Sequence, residues 1–319
     1  MCYKYNSLRI SKTIFFPLLI VFLLFSCKKT ETTLMSQKLP TITQQIASNS
    51  NFTILKAAFI KTGMDVLLDS PGSYTLFAPD NDAFLNSGIS LTIINELSAS
   101  RLKFILSYHL LPVKYVLNDF KKDVYYNEVS VGGDSSFVTK NNEGLFVNGI
   151  KISKTDLKQS NGVIHITAKV IFPPEVNMLN VIASDSSLSF FYAAIMRTST
   201  SSSTNFLKML DCGCKFTIFA PTNDAFKNTG LNTIATINGL DTNKLVTILS
   251  NHIIKDRLFI TDLTPNTQLH MMNGCLLSID HLSKGVGIKG SANKEFITIL
   301  KSDILTKQGV LHVIGDLIE

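Results

Sequence analysis

The chain of 319 residues contains no Gly-x-Ser-x-Gly nucleophile turn, no His-Glu-x-x-His zinc motif and no glycine-rich phosphate loop. Those patterns exist because hydrolysis and phosphoryl transfer need a strained serine, a held metal or a cradle of amide donors, so their absence argues against an enzyme. Nucleic acid is equally poorly served. Lys and Arg number 30 against 24 acidic residues, yet no basic stripe interleaved with aromatics occurs, the feature that would neutralise and stack on a polynucleotide. Long apolar runs are missing too. The longest, Ile14 to Phe25, is interrupted by Pro17 and is too short to span a bilayer comfortably as a permanent helix.

Cysteine is scarce, with five in the chain. Cys2 and Cys27 belong to the leader and its end, which leaves Cys212, Cys214 and Cys275, an odd number in a compartment where disulfides persist. Joining Cys212 to Cys214 across one glycine would be strained, so a bridge from either to Cys275 is the expected arrangement. Three reduced, partly buried thiols are the alternative. No further cysteine pair completes a tetrahedral metal set, and no metal or other cofactor is implied.

What the chain does have begins with an address. Lys4, Arg9 and Lys12 precede the short apolar run, which ends in Leu24-Phe25-Ser26-Cys27. This resembles a bacterial lipoprotein signal, residues 1–26, with cleavage before Cys27 and acylation of that cysteine. Acyl chains contribute roughly 0.8 kcal/mol per buried CH₂, enough in combination to hold a folded domain at a membrane without a spanning helix. Residues 27–38 then form the lipidated cysteine and a polar, flexible stalk. Two lysines follow Cys27 with no aspartate, which favours the outer membrane, on its periplasmic or surface-exposed side. Loss of the leader lowers the net charge from +6 to +3, so the whole-chain value overstates the basicity.

The dominant feature is a duplication. Thr75 to Phe84 reads TLFAPDNDAF and Thr217 to Phe226 reads TIFAPTNDAF, identical at eight of ten positions. Leu102, Ile105, Leu106 and His109 recur as Leu245, Ile248, Leu249 and His252. Asp156 and Gly162-Val163-Ile164-His165 recur as Asp303 and Gly309-Val310-Leu311-His312. The unit is too long for a solenoid repeat and has the size of an independently cored domain. Pro173-Pro174 marks a boundary, giving domains at 39–173 and 174–319 joined by a short link, so the two should touch or at least hold a limited range of orientations. The polar run Thr198 to Thr204 is read as a surface loop that absorbs extra length in the second copy.

Within each copy, helical spacing of Ile42, Ile46, Leu55, Ala58 and Phe59 precedes the repeated decamer. The decamer suits a strand ended by proline, followed by a short helix capped by Asp80-Asn81-Asp82 or Thr222-Asn223-Asp224. The next helix places His109, and in copy two His252, on its apolar face. There a satisfied core imidazole competes with metal ligation or acid-base work. His165 and His312 sit in closing strands after Asn161-Gly162 and Gln308-Gly309 turns. Val124 to Val131, Ser136 to Thr139 and Leu145 to Ile152 read as antiparallel strands of a small sandwich or curled sheet. Asp156 and Asp303 could be acid-base groups, but their place before the last turn favours capping or turn formation.

These residues together resemble the fasciclin-domain family (FAS1, the beta-Ig-H3 repeat), with the decamers, Tyr108-His109 and the Gly-Val-Ile-His closing segments as the matching motifs. In copy two, Asn251-His252 replaces the tyrosine-histidine pair. The resemblance implies an α+β fold: two fasciclin-like domains, each a wedge-shaped beta sandwich with helices packed at one edge. It also implies adhesion or extracellular contact rather than catalysis, and a partner-binding role for Tyr108 and His109. Tyr125 and Tyr126 are candidates for stacking on a glycan, with strand packing as the alternative. Asn81, Asp82, His165, Asn223, Asp224, His252 and His312 recur and are assigned to the scaffold. The resulting expectation is a membrane-anchored adhesion or binding lipoprotein recognising an extracellular protein or polysaccharide. The alternatives are an accessory subunit of a glycan-uptake complex, a spacer or a cell-wall or glycan hydrolase.

Overall fold

The computed structural model describes residues 38–199, 204–211, 215–283 and 285–319. The leader, Cys27, most of the stalk, the centre of the Ser/Thr run, Cys212 and Cys214 lie outside the described residues.

In copy one, α1 (Ile42–Ser48), α2 (Thr53–Thr62) and α3 (Met64–Asp69) lead into β1 (Tyr74–Pro79). Three helices follow, α4 (Asn81–Asn86), α5 (Leu91–Glu96) and α6 (Ala99–Tyr108). The side chains of Asp80, Ser90 and Ser98 start them by accepting from otherwise unpaired first-turn amides. The rest is sheet: β2 (Leu110–Leu111), β3 (Tyr126–Val129), β4 (Ser135–Asn141), β5 (Gly144–Val147), β6 (Ile150–Gln159) and β7 (Gly162–Thr167).

Copy two repeats the order with α7 (Met178–Ser184), α8 (Ser189–Thr198), α9 (Phe206–Asp211), β8 (Phe216–Pro221), α10 (Asn223–Asn228), α11 (Ile234–Asn238) and α12 (Thr242–Ser250). Its strands are β9 (Ile253–Ile254), β10 (Gln268–His270), β11 (Leu276–Leu282), β12 (Gly285–Gly290), β13 (Ile297–Thr306) and β14 (Gly309–Ile314). Both sheets have seven strands, in the orders β2-β1-β7-β6-β5-β4-β3 and β10-β11-β12-β13-β14-β8-β9. The fold is α+β, and the first strand of each copy pairs in parallel with its last, Thr75 against Val163 and Thr217 against Val310.

Two differences from the sequence reading have local causes. The segment Leu145 to Ile152 is two strands rather than one, because Asn148 and Gly149 take φ of 49° and 75° and turn the chain in a two-residue hairpin. Asp156 and Asp303 are not turn residues. Each lies within a long strand at φ 60°, where the register of β6 or β13 shifts and the strand bends. β6 leaves β5 at Lys151 and pairs with β7 from Ile152 onward, so the bend falls inside the β6–β7 pairing, where the sheet curls over its own core. Phe77 of β1 there packs with Val138 of β4, Leu145 and Val147 of β5, and Tyr108. A second core lies between the helices and the other face of β1, with Phe52, Phe59, Phe84, Leu106 and Ile164. Copy two has the same pair of cores. Residues Lys38 to Glu319 form one compact unit.

Candidate functional site: the seam between the copies

The residues singled out by the repeat turn inward. Tyr108 and His109 are each 1% exposed, so burial corrects the expectation that these side chains meet a partner. The Tyr108 hydroxyl donates to Ser135 O at 2.8 Å and accepts from Asn148 Nδ2 at 2.8 Å, and burial raises its pKa to about 12. His109 bonds through Nδ1 to Ile105 O (2.9 Å) and accepts at Nε2 from Ile171 N (2.9 Å). His252 does the same with Ile248 O (2.7 Å) and Ile318 N (3.0 Å). Each imidazole thus ties the tail of its copy to the end of a helix. Burial holds His109, His252 and His312 neutral, with pKa lowered to about 4.

His165 and His312 form a second matched pair. Each donates from Nε2, to Tyr115 O at 2.9 Å and Leu258 O at 3.0 Å, and accepts at Nδ1 from Asp156 N and Asp303 N at 3.3 Å. The two aspartates accept from Leu117 N (2.8 Å) and Ile260 N (2.7 Å). In the decamers Asp80 and Thr222 cap the following helix, whereas Asn81 and Asn223 reach elsewhere. Asn81 Oδ1 accepts from Ile54 N at 3.1 Å and its Nδ2 donates to Ser50 O at 2.9 Å. Asn223 repeats this with Phe190 N and Ser186 O, both at 2.9 Å. Asp82 and Asp224 are exposed, and Asp224 pairs with Lys227 at 2.7 Å. Cys275 is exposed, and its expected partners are outside the described residues.

The tyrosines after the first helix group diverge in role. Tyr126 packs edge-on against Phe120, 5.1 Å between ring centroids, and its hydroxyl accepts from Lys121 N at 2.8 Å. Tyr125 lies outside the strand and is 46% exposed, while its hydroxyl end faces Asp262 of copy two. Burial and the neighbouring carboxylates of Asp262 and Asp256 hold that phenol protonated.

Tyr125 belongs to a seam that the repeat analysis did not single out. At its centre Phe137 of β4 packs with Phe259 and Val310 of copy two, its ring 6.3 Å from that of Phe259. The Arg257 guanidinium stacks 3.9 Å from the Phe137 ring centroid, and Lys215 Nζ lies 5.1 Å from it. Arg257 is only 7% exposed and its Nε has no hydrogen-bond partner, so the aromatic face is its main compensation. Asn141 Nδ2 donates across the seam to Thr261 O at 3.0 Å. Gly149 presses so closely that a Cβ there would lie 3.1 Å from Asp303 Oδ2 and from Phe259. Burial pushes Asp262 and Asp303 up to about 6, against the amide hydrogen bonds that favour their charged forms.

Beside this contact the copies enclose a cleft of about 820 Å³, lined by residues 122–125 and 139–143 of copy one and by 256, 258, 260–265, 267, 269, 281 and 286 of copy two. A Gly-x-Gly-x-x-Gly spacing at 285–290 also escaped the sequence reading. It lies within β12 and opens no helix, so it lacks the context of a dinucleotide site. Among the described residues no cluster of three His, Cys, Asp or Glu suits a metal ion.

Two α+β repeats joined face to face across a cleft define a tandem-module protein. The chain belongs to the fasciclin-domain family, whose model matches residues 50–173 and 188–319. It is 25% identical over 258 residues to transforming growth factor-beta-induced protein ig-h3 of Sus scrofa, covering 79% of this chain and 35% of that protein. To human periostin it is 25% identical over 282 residues, covering 86% of this chain and 30% of periostin. Protein sll1483 of Synechocystis is 33% identical over 137 residues, 42% of this chain and 74% of that protein. The chain thus spans about a third of the length of the first two relatives. A FAS1 domain pair from the insect cell adhesion molecule fasciclin I aligns with TM-score 0.40 and 18% identity, covering 82% of this chain and 94% of that one.

Proposed function

We propose that this protein is a non-enzymatic binding lipoprotein whose two fasciclin domains, 39–173 and 174–319, hold an extracellular protein or polysaccharide in the cleft between them. The observation that carries the reading is the cleft itself, lined by both copies and large enough for a partner's side chains or sugar residues. Family membership supports a binding role, and the seam carboxyls Asp262 and Asp303 are engaged by the amides of Phe259 and Ile260 instead of standing free for acid-base work. The leader and Cys27 support acyl anchoring at the outer membrane, facing the periplasm or the exterior.

Leu269→Arg places a bulky charge in the cleft wall and is expected to abolish saturable binding on an array of extracellular proteins and polysaccharides. Undiminished binding would place recognition elsewhere, and turnover of a polysaccharide would overturn the non-enzymatic reading. For the anchor, Cys27→Ser should move the protein from the membrane to the soluble fraction. Persistent membrane association of that variant would reject lipidation as the tether.

A further inference from the structure

The charges of the seam cleft are unevenly placed. Four carboxylates line it, Asp123, Glu143, Asp256 and Asp262, against two lysines. Both lysines are engaged: Lys122 pairs with Asp123 at 3.6 Å, and Lys140 Nζ donates to Leu117 O and Phe120 O at 3.2 and 3.1 Å. An anionic polymer would meet this field unfavourably. Three of the carboxylates, Asp123, Glu143 and Asp256, are exposed, where water and salt screen them.

The half-buried polar groups of the wall include three hydroxyls, Thr261, Thr264 and Thr267, beside Lys140, Asn141 and Asp262; Thr264 and Thr267 are bonded to each other, Thr267 Oγ1 donating to Thr264 O at 2.6 Å. Thr261 Oγ1 is buried without a hydrogen-bond partner, an unmet need that a ligand hydroxyl could answer after a rotation of the side chain. Apolar groups line the same cleft, Leu258, Leu263 and the Tyr125 ring. Tyr125 turns its hydroxyl end toward Asp262 and leaves much of the residue accessible, so the ring can serve as a platform.

We propose that the cleft takes an uncharged, hydroxyl-rich ligand, a segment of neutral polysaccharide, with one sugar face stacked on Tyr125 and its hydroxyls bonded to the threonine wall. The proposal rests on the reading that the cleft is the recognition surface and narrows its partner class. A sugar ring offers an apolar C–H face and an equatorial rim of hydroxyls that both donate and accept, matching a wall that carries aromatic, aliphatic and hydroxyl groups. A cationic peptide would suit the rim carboxylates but leave the inner hydroxyls and the tyrosine unused.

The test is an array and calorimetric titration of the whole protein in detergent with three probes: neutral glucan, xylan, mannan and chitin oligomers; uronic-acid and sulfated glycans; and an oligolysine peptide. Binding of a neutral oligomer is expected, weakened at least about tenfold by Tyr125→Ala and little changed by Tyr125→Phe, which keeps the ring. Thr261→Val should weaken it as well without altering the melting temperature, which shows that the seam stays closed. Tyr125-dependent binding of oligolysine or of anionic glycans alone would retain the cleft as the site and overturn the neutral-sugar class. Neutral-glycan binding indifferent to Tyr125→Ala and Thr261→Val, or no binding of any probe, would overturn the proposal together with the cleft reading.

Discussion

His109 and His252 show how a single side chain can set a stability profile. Each closes two backbone hydrogen bonds in a fully desolvated site, so truncation to alanine leaves the amide of Ile171 or Ile318 unpaired beside a cavity. A loss of about 2 to 4 kcal/mol is expected for either variant in urea unfolding at pH 7.5. With folded pKa values of about 4 for His109, His252 and His312, below the usual value near 6.5, their contribution is complete above that value and is lost as pH falls toward 4. Asp262 and Asp303 run the other way. Raised to about 6, they stabilise most at low pH, and this contribution fades as pH rises through 6. Between pH 7.5 and 5 each histidine costs about 2 kcal/mol and each aspartate returns about 1, so acidification should destabilise the protein. His252→Ala should flatten that slope, and an unchanged slope would show that the imidazole is not held neutral.

At the scale of elements, the decamer is a clasp more than a capped turn. Asn81 and Asn223 fasten the start of β1–α4 and β8–α10 to the first turns of α2 and α8, which lie about 30 residues earlier in the chain. Asn81→Ala and Asn223→Ala should each cost about 1 to 2 kcal/mol by thermal unfolding, whereas Asp82→Ala, on an exposed first turn, should cost under about 0.5. Equal losses at both positions would refute the distinction. The closing glycines have a similar logic. A Cβ on Gly162 would sit 2.3 Å from Tyr74 O, and one on Gly309 only 1.8 Å from Phe216 O, so the parallel pairing of first and last strand excludes any side chain there. The first helices, the capped helix after each decamer, the helix carrying His109 or His252, the β1 and β8 strands and the copy-one strands from β3 to β5 were legible from periodicity and turn residues, whereas the short helices α3, α5, α9 and α11 were not singled out. The Asn148-Gly149 turn was legible as well, since Asn-Gly between apolar residues is a strong hairpin signal, but the run Leu145 to Ile152 reads through it as one strand; the bulges at Asp156 and Asp303 were hidden because a strand-interior left-handed aspartate has no signature apart from its recurrence.

The whole molecule depends on residues that the two copies do not share, which is why the seam was illegible. Comparison of the repeats highlights common positions, and these close each domain on itself. Phe259 stands where copy one has Val116, Leu305 where it has Lys158, and Arg257 where it has Lys114. β11, the counterpart of β4, carries no phenylalanine to match Phe137. Taken singly, Phe137 reads as core and Arg257 as surface; only the docked pair puts one on the other. The corresponding face of copy one offers Lys158 in place of Leu305 and Lys114 in place of Arg257, so it does not reproduce the surface on which Phe137 docks. The seam should therefore couple two otherwise independent cores, and calorimetry of the intact protein should show one unfolding transition. Phe137→Ala removes the ring on which Arg257 stacks, leaves a buried guanidinium with little compensation, and is expected to cost roughly 3 kcal/mol. Because that energy is shared between domains, the variant's transition should split into two. A single transition that merely shifts down would mean that the copies are coupled through the proline link and the cleft walls instead of through Phe137.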